Sequence, residues 1–151
     1  AIGGLPGVIL DDLPHFHEHS LEVQLPFLQT MLAEFTLLPL SVGDTTPDQV
    51  AAVLEAVWGG PETLIVISTD LSHYHHYDEA HQIDTHTAAA IVSGVADAIG
   101  DHDACGSRPL RGMLQLASQR GMSIENVDLR NSGDTAGDHD RVVGYGAFVI
   151  A

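Results

Sequence analysis

The sequence contains no lysine and only five arginines against 21 acidic residues, which gives a formal net charge of −16. A phosphate backbone would be repelled by this balance, because nucleic-acid binding depends on contacts from lysine and arginine. The dispersed carboxylates fit either a highly charged, soluble surface or a surface that attracts cations, and composition does not choose between them. Nucleic acid is therefore not expected as a partner.

Long apolar segments and paired cysteines are also missing. The longest apolar runs, such as LIVI at 64–67, are far too short to span a bilayer, and the stretch AIGGLPGVIL at 1–10 lacks the basic start of a signal peptide. Cys105 is the only cysteine, so an internal disulfide is impossible, which fits a reducing compartment. We expect a soluble, cytoplasmic protein with no membrane partner.

The chain has enough apolar residues, 44% of 151, to bury a core, and we expect one domain over residues 1–151. Helical and extended patterns alternate along it. Strands are predicted at 35–42, 63–68, 123–129 and 141–150, and helices at 21–32, 46–57, 78–99 and 107–120. The continuous apolar run TLIVIS is typical of a strand buried on both faces of a parallel sheet. The pattern predicts a layered α/β fold with a mostly parallel sheet.

The segment STDLSHY at 68–74 follows the predicted TLIVIS strand, where ligands gather in open α/β sheets. Asp70 and His73, three residues apart in a turn, would converge on one point as acid–base groups or as ligands of a metal or its bound water. The structural alternative is that Asp70 caps the turn and His73 is half-buried and hydrogen-bonded. Spacing alone favours that structural alternative.

Cys105 lies in the stretch DACGSRP, just before a predicted helix. Gly106 allows close backbone approach, while the helix N-terminus and Arg108 both favour the thiolate, the form that binds metal or attacks. The alternative is an inert buried cysteine, but a loop beside glycine is a poor place for one.

Histidine is dense in HFHEHS at 15–20. In an extended chain His15, His17 and His19 would line one face and suggest a metal site. The loop NSGDTAGDHDR at 131–141 is rich in Gly and Asp, yet it matches neither an EF-hand nor a phosphate-binding loop.

Four stretches, in order, resemble the Memo-like family, called AmmeMemoRadiSam system protein B in bacteria and archaea. They are EHSLEVQLPFL at 18–28, STDLSHY at 68–74, ACGSRP at 104–109 and NSGDTAGD-DRVVGYGAF at 131–148. The resemblance implies a three-layer α/β/α fold similar to class III extradiol dioxygenases of the LigB type. It also implies a pocket of two histidines and a cysteine, with redox-active non-heme iron or copper.

By that resemblance Cys105 is the metal ligand, Asp70 and His73 are catalytic groups lining the same pocket, and Glu18 and His19 support it. Family members carry two further histidine motifs, one like APHAGY and one like GPSH, and neither occurs in this sequence. The resemblance therefore implies a truncated chain, the C-terminal portion of a Memo-like protein with an incomplete pocket.

Three functions follow as alternatives: a metal-dependent redox or dioxygenase-like enzyme, a non-enzymatic metal carrier, and a peptide-binding scaffold with a vestigial pocket. A part of a sheet exposes a strand edge and apolar surface. We therefore expect self-association or pairing with the missing N-terminal part.

Overall fold

The structure, a computed structural model, describes residues 2–151 apart from the side chain of Ala136; Ala1 of the predicted domain lies outside the described residues. The α-helices are α1 (Leu25–Met31), α2 (Pro47–Val57), α3 (Tyr77–Val92), α4 (Ser107–Arg120) and α5 (Gly133–Ala136). The strands are β1 (His73–His75), β2 (Ile124–Asn131) and β3 (Val142–Ile150). Short 3₁₀ helices cover Ile2–Gly4, Leu13–His15, Glu22–Gln24 and Ala96–Ala98. The α/β class is as predicted.

Helix α2 begins where its capping box predicts. The Thr46 hydroxyl accepts a hydrogen bond from the Gln49 backbone N–H at 3.3 Å, and the Gln49 side chain accepts one from the Thr46 N–H at 3.0 Å. Two N–H groups that the first turn leaves without helical partners are thus satisfied. Pro47 occupies the first helical position, where its missing N–H costs nothing.

Helix α4 packs across α2 and has the predicted bounds. Gly121 ends it in the left-handed conformation, with φ of 66°. Gly112 faces Val50 at the crossing, where an added Cβ would lie 2.2 Å from the nearest Val50 methyl. At the end of the crossing the Arg120 guanidinium makes two 2.9 Å hydrogen bonds to the Glu55 carboxylate and stacks 4.2 Å from the centre of the Trp58 ring. Close backbone approach and a bidentate ion pair join the two helices.

The three strands form one sheet in the order β1-β3-β2, and both pairings are antiparallel. The β2–β3 ladder runs from Ile124 opposite Ile150 to Asn131 opposite Gly144. Only residues 132–141 connect these strands, which is too short for the crossover that parallel neighbours need. Among the described strands both pairings are antiparallel, and neither the predicted parallel sheet nor the three-layer arrangement is confirmed.

Two predicted strands, 35–42 and 63–68, are not strands in the structure. Within the part of the chain that the structure describes, residues 35–42 and 64–68 make no hydrogen bond between backbone groups. Ile65 and Ile67 pack against the core, whereas Leu64 and Val66 are 67% and 45% exposed. An apolar run favours burial of its side chains. A β-ladder also requires a neighbouring strand, which the apolar run does not specify.

Two helices are shorter than predicted. Helix α1 begins at Leu25 after a 3₁₀ turn, with Pro26 in its first turn, instead of at residue 21. Helix α3 ends at Val92 instead of continuing to residue 99, because Gly94 reverses the chain with φ of 69°. Ile99 still reaches the core beyond this turn and is 1% exposed. None of the described helices is both long enough and apolar enough to cross a membrane.

Candidate metal centre

The STDLSHY segment leads into β1 and is fastened to β3 by backbone hydrogen bonds. The Leu71 N–H donates to the Gly144 carbonyl at 2.9 Å, and the Gly144 N–H donates to the Ser72 carbonyl at 2.8 Å. Leu71 and Ser72 are each 2% exposed, so the middle of the segment is buried. Asp70 and His73 flank this buried pair, which holds both residues at the start of β1.

Cys105 comes to the same place from a separate segment, two residues before α4. Its N–H donates to the Asp70 carbonyl at 3.2 Å, and the Asp70 N–H lies 3.2 Å from its Sγ atom. The Thr69 hydroxyl is 3.4 Å from the same sulfur. Gly106 is required here, as predicted, because a Cβ on it would lie 2.8 Å from the Thr69 Cβ. The sulfur is thus positioned by backbone contacts on both sides.

Asp70, His73 and Cys105 bring three kinds of metal donor together. One carboxylate oxygen, one imidazole nitrogen and the thiol sulfur all lie within 4.8 Å of one another. The distance from Asp70 Oδ2 to His73 Nε2 is 3.7 Å, and these side chains are 47% and 34% exposed. Donors at bond lengths of about 2.0 to 2.3 Å from one tetrahedral metal are roughly 3 to 4 Å apart, so a small contraction would let this set hold one ion.

Asp84 is a component of the site that sequence analysis missed. This α3 residue is 2% exposed, and its carboxylate accepts hydrogen bonds from the Ser72 N–H at 2.9 Å and the Ser72 hydroxyl at 3.1 Å. A Cβ at Gly144 would lie 2.0 Å from one of its oxygens. Ser72 precedes His73, so Asp84 fixes the segment that carries Asp70 and His73.

A signal for Asp84 was present in the sequence. It lies four residues after Ala80 and seven before Ile91, on the buried face of α3. A carboxylate on the apolar stripe of a helix needs hydrogen-bond partners, and here Ser72 supplies two of them.

Glu18 and His19 are not among these three donors, and the side-chain hydrogen bonds described for them lie within residues 18–22. The Glu18 carboxylate accepts hydrogen bonds from the N–H groups of Ser20 and His19, and these bonds, chiefly those from Ser20, lower its pKa below the ordinary value. His19 Nδ1 is 2.7 Å from a Glu22 oxygen. The segment contacts STDLSHY through Ser20, whose carbonyl accepts a 2.6 Å hydrogen bond from the Ser68 hydroxyl.

The three histidines of HFHEHS do not line an extended face. His15 ends a 3₁₀ helix, Leu13–His15, and the ring of His17 packs edge-on against Phe16 at 4.8 Å. The alternation would place these histidines on one face only in an extended chain, and the chain turns repeatedly here instead.

The Gly- and Asp-rich loop folds over the start of α3 instead of forming an ion-binding loop. The Tyr77 hydroxyl donates a 2.6 Å hydrogen bond to Asp134, and its ring stacks on His139 at 4.4 Å. The hydrogen bond from Tyr77 lowers the pKa of the Asp134 carboxyl and raises the pKa of the Tyr77 phenol. Asp134 also accepts from the Asn131 N–H at 2.8 Å, so the carboxylate closes the loop onto β2.

Fold and site together define an α/β domain with a candidate metal-binding group of one carboxylate, one imidazole and one thiol. The model of the Memo-like protein family matches residues 7–149. The chain belongs to the Memo-like protein family, as its sequence motifs predict.

Curated relatives are described as MEMO1 family proteins. A MEMO1 family protein of Methanosarcina acetivorans is 35% identical over 153 residues, which cover 93% of this chain and 57% of the relative. One from Sulfolobus acidocaldarius is 32% identical, covering 90% of this chain and 52% of the relative, and one from Aeropyrum pernix is 34% identical, covering 93% and 54%. The chain thus spans little more than half the length of these relatives.

Proposed function

We propose that this chain is part of a metal-dependent redox protein, with a transition metal, iron or copper, held at the candidate centre. The observation that carries the proposal is the convergence of Asp70, His73 and Cys105 from two separate segments to within 4.8 Å. A thiolate together with an imidazole suits soft or borderline transition metals better than magnesium or calcium. The choice of iron or copper rests on family resemblance.

Each residue has a proposed role. Cys105 binds the metal through its sulfur. Asp70 and His73, 3.7 Å apart, lie within ligand distance and also form a carboxylate–imidazole pair that can hold or pass a proton. A bound iron or copper ion would supply one-electron redox chemistry at this point. Asp70, His73 and the exposed Cys105 all remain accessible to solvent, which leaves room for a substrate.

A metal carrier without enzymatic activity is the alternative, and a scaffold with a vestigial pocket is the third. Oxygen consumption or superoxide loss by the metal-loaded protein separates the enzyme from the carrier. Binding to a protein partner that responds neither to metal nor to Cys105→Ser would favour the scaffold.

A cytoplasmic location is proposed with the enzyme, because a reducing compartment keeps the single cysteine as a free thiol.

Cys105→Ser is expected to weaken metal binding at least about tenfold, because a hydroxyl is a far poorer ligand than a thiolate. The measurement is an anaerobic titration with Fe(II) or Cu(I), followed by calorimetry. Cys105 is the only cysteine, so the variant removes every thiol from the protein.

His75→Gln is the matched control for this titration. His75 pairs with Glu79 at 3.3 Å, outside the candidate centre, so its loss should leave the affinity unchanged. Unchanged affinity of the Cys105→Ser protein would show that the sulfur is not a ligand.

We also propose that the sheet of this protein is larger than the three strands described. The unpaired segments 35–42 and 63–68 carry exposed apolar side chains, among them Leu37 at 50%, Leu38 at 54% and Leu64 at 67%. The longer relatives support a further segment that pairs with these strands and completes a three-layer α/β/α fold of the LigB type. The parallel pairing predicted for TLIVIS would belong to that sheet.

Without such a further segment, the chain by itself is expected to self-associate through the unpaired segments 35–42 and 63–68. Light scattering should show a mass above 16.0 kDa that rises with salt, because screening reduces the repulsion between copies of charge −16. A strictly monomeric species at every salt concentration would count against the unpaired edges as an interface.

A further inference from the structure

The five arginines differ in whether they contact a carboxylate. Four of the five arginines contact a carboxylate: Arg108 with Asp44, Arg111 with Asp101, Arg120 with Glu55 and Arg130 with Asp128. Within residues 2–151, Arg141 makes no such ion pair, although Asp138 and Asp140 are close to it in sequence. In a chain with 21 acidic residues, this leaves one arginine without a carboxylate partner among the described residues.

Arg141 lies over an aromatic ring beside the candidate metal centre. Its guanidinium carbon is 4.9 Å from the centre of the Tyr74 ring, which is itself 5.7 Å from the His73 ring in an edge-on arrangement. Stacking leaves the in-plane N–H groups of a guanidinium free to donate. Arg141 is exposed, so those donors can reach a ligand in solvent.

The backbone of Tyr74 has an energetically unfavourable conformation. Tyr74 has a φ of 62°, and it is the single non-glycine residue with positive φ among residues 2–151. Such a conformation costs of the order of 1 kcal/mol or more for a tyrosine and persists only where neighbours impose it. Those neighbours are the β1–β3 pairs His73 with Val143 and His75 with Val142, which also fix the position of Arg141 next to Val142.

We propose that Arg141 and Tyr74 form a carboxylate-binding position for the substrate of the candidate metal centre. The guanidinium would hold the carboxylate through two parallel hydrogen bonds, and the 63% exposed Tyr74 ring would contact the apolar body of the ligand. Because the Tyr74 ring lies beside the His73 ring, a ligand held by Arg141 and Tyr74 would extend its other end toward the metal donors. The orientation toward the metal rests on the proposed function, whereas the carboxylate position itself does not.

The charge of the protein favours a monocarboxylate over a dianion. Bringing an anion to a protein of charge −16 costs electrostatic work that grows with the charge of the ligand, and one arginine offsets only one unit of it. The aromatic ring favours a ligand with a flat apolar body. Benzoate is therefore a suitable probe, and benzamide is its neutral counterpart of nearly the same shape.

The test compares benzoate and benzamide binding by NMR titration, with the Arg141 side-chain and Tyr74 ring signals as reporters. The wild-type protein should bind benzoate about tenfold more tightly than benzamide, and Arg141→Gln should remove most of that preference. Arg130→Gln is the matched control, since it removes the same charge from an arginine already paired with Asp128. It should leave the preference intact.

An equal loss in both variants would overturn the proposal, because it would show that only the overall charge matters. No preference for benzoate in the wild-type protein would overturn it as well. The outcome is independent of metal binding: Cys105→Ser should leave the metal-free benzoate preference unchanged, so failure of the metal titration and failure of the carboxylate position are distinguishable.

Discussion

Asp84→Asn is expected to lower the free energy of unfolding by about 2 to 3 kcal/mol and to weaken metal binding by about tenfold. The carboxylate accepts from both the N–H and the hydroxyl of Ser72, and Asp84 is 2% exposed. An asparagine offers one acceptor oxygen and an NH₂ group, so one of the two Ser72 donors is left buried without a partner. Chemical denaturation and the anaerobic metal titration measure the two effects separately.

Asp97→Asn is the control, because it removes the same charge from an exposed position. Its unfolding free energy and metal affinity should stay close to those of the wild-type protein. If Asp84→Asn loses stability but keeps full metal affinity under conditions where it is folded, Asp84 supports the fold without positioning the centre.

Gly112→Ala is expected to lower the free energy of unfolding by about 2 kcal/mol, even though alanine favours a helix by about 1 kcal/mol over glycine. The added Cβ would lie 2.2 Å from Val50 Cγ1 and 2.3 Å from Val50 Cβ. The Val50 Cβ belongs to the branch point of a stiff side chain, so a rotamer change cannot clear the contact and α2 must move away from α4. Urea denaturation measures the loss.

A double-mutant cycle with Val50→Ala tests the cause. Val50→Ala alone removes buried methyl groups and should cost about 1 to 2 kcal/mol. Combined with Gly112→Ala it should cost clearly less than the sum of the two single changes, since the new Cβ fills the space that valine leaves. Strict additivity would show that the clash at the crossing is not what destabilises Gly112→Ala.

Local signals predicted the parts of the fold that depend on nearby residues. The Thr46–Gln49 capping box gave the start of α2, and Gly121 gave the end of α4. Both are set by hydrogen bonds or backbone angles within a few residues. The short 132–141 connection also favours antiparallel pairing of β2 and β3, but the sequence-based prediction of a mostly parallel sheet did not use its length.

Strand partners could not be predicted in the same way. TLIVIS has the composition of a buried parallel strand, yet Leu64 is 67% exposed and residues 64–68 have no backbone partner among the residues described. Composition states which side chains favour burial, while pairing depends on a second strand far away in the chain.

The candidate centre was predicted only in part. Residue types and spacing selected Asp70 and His73, and family resemblance added Cys105 as a ligand; the structure brings all three together. Asp84 was missed because its importance depends on Ser72, 12 residues away and on a different element. Arg141 was missed because it differs from the other four arginines only in having no ion pair among the described residues. That difference is visible only in the structure, where the carboxylate partners of the other four are known.

The reciprocal contacts between Asp70 and Cys105 determine how much ordering a ligand must impose. The Cys105 N–H binds the Asp70 carbonyl while the Asp70 N–H faces the Cys105 sulfur, so the two donor segments are already joined. Ordering the backbone of a free residue costs about 1 to 2 kcal/mol of conformational entropy, and for Asp70 and Cys105 folding has met that backbone cost before any ion arrives. The centre is therefore preorganised, and its affinity for an ion would reflect the chemistry of the donors more than the flexibility of the chain.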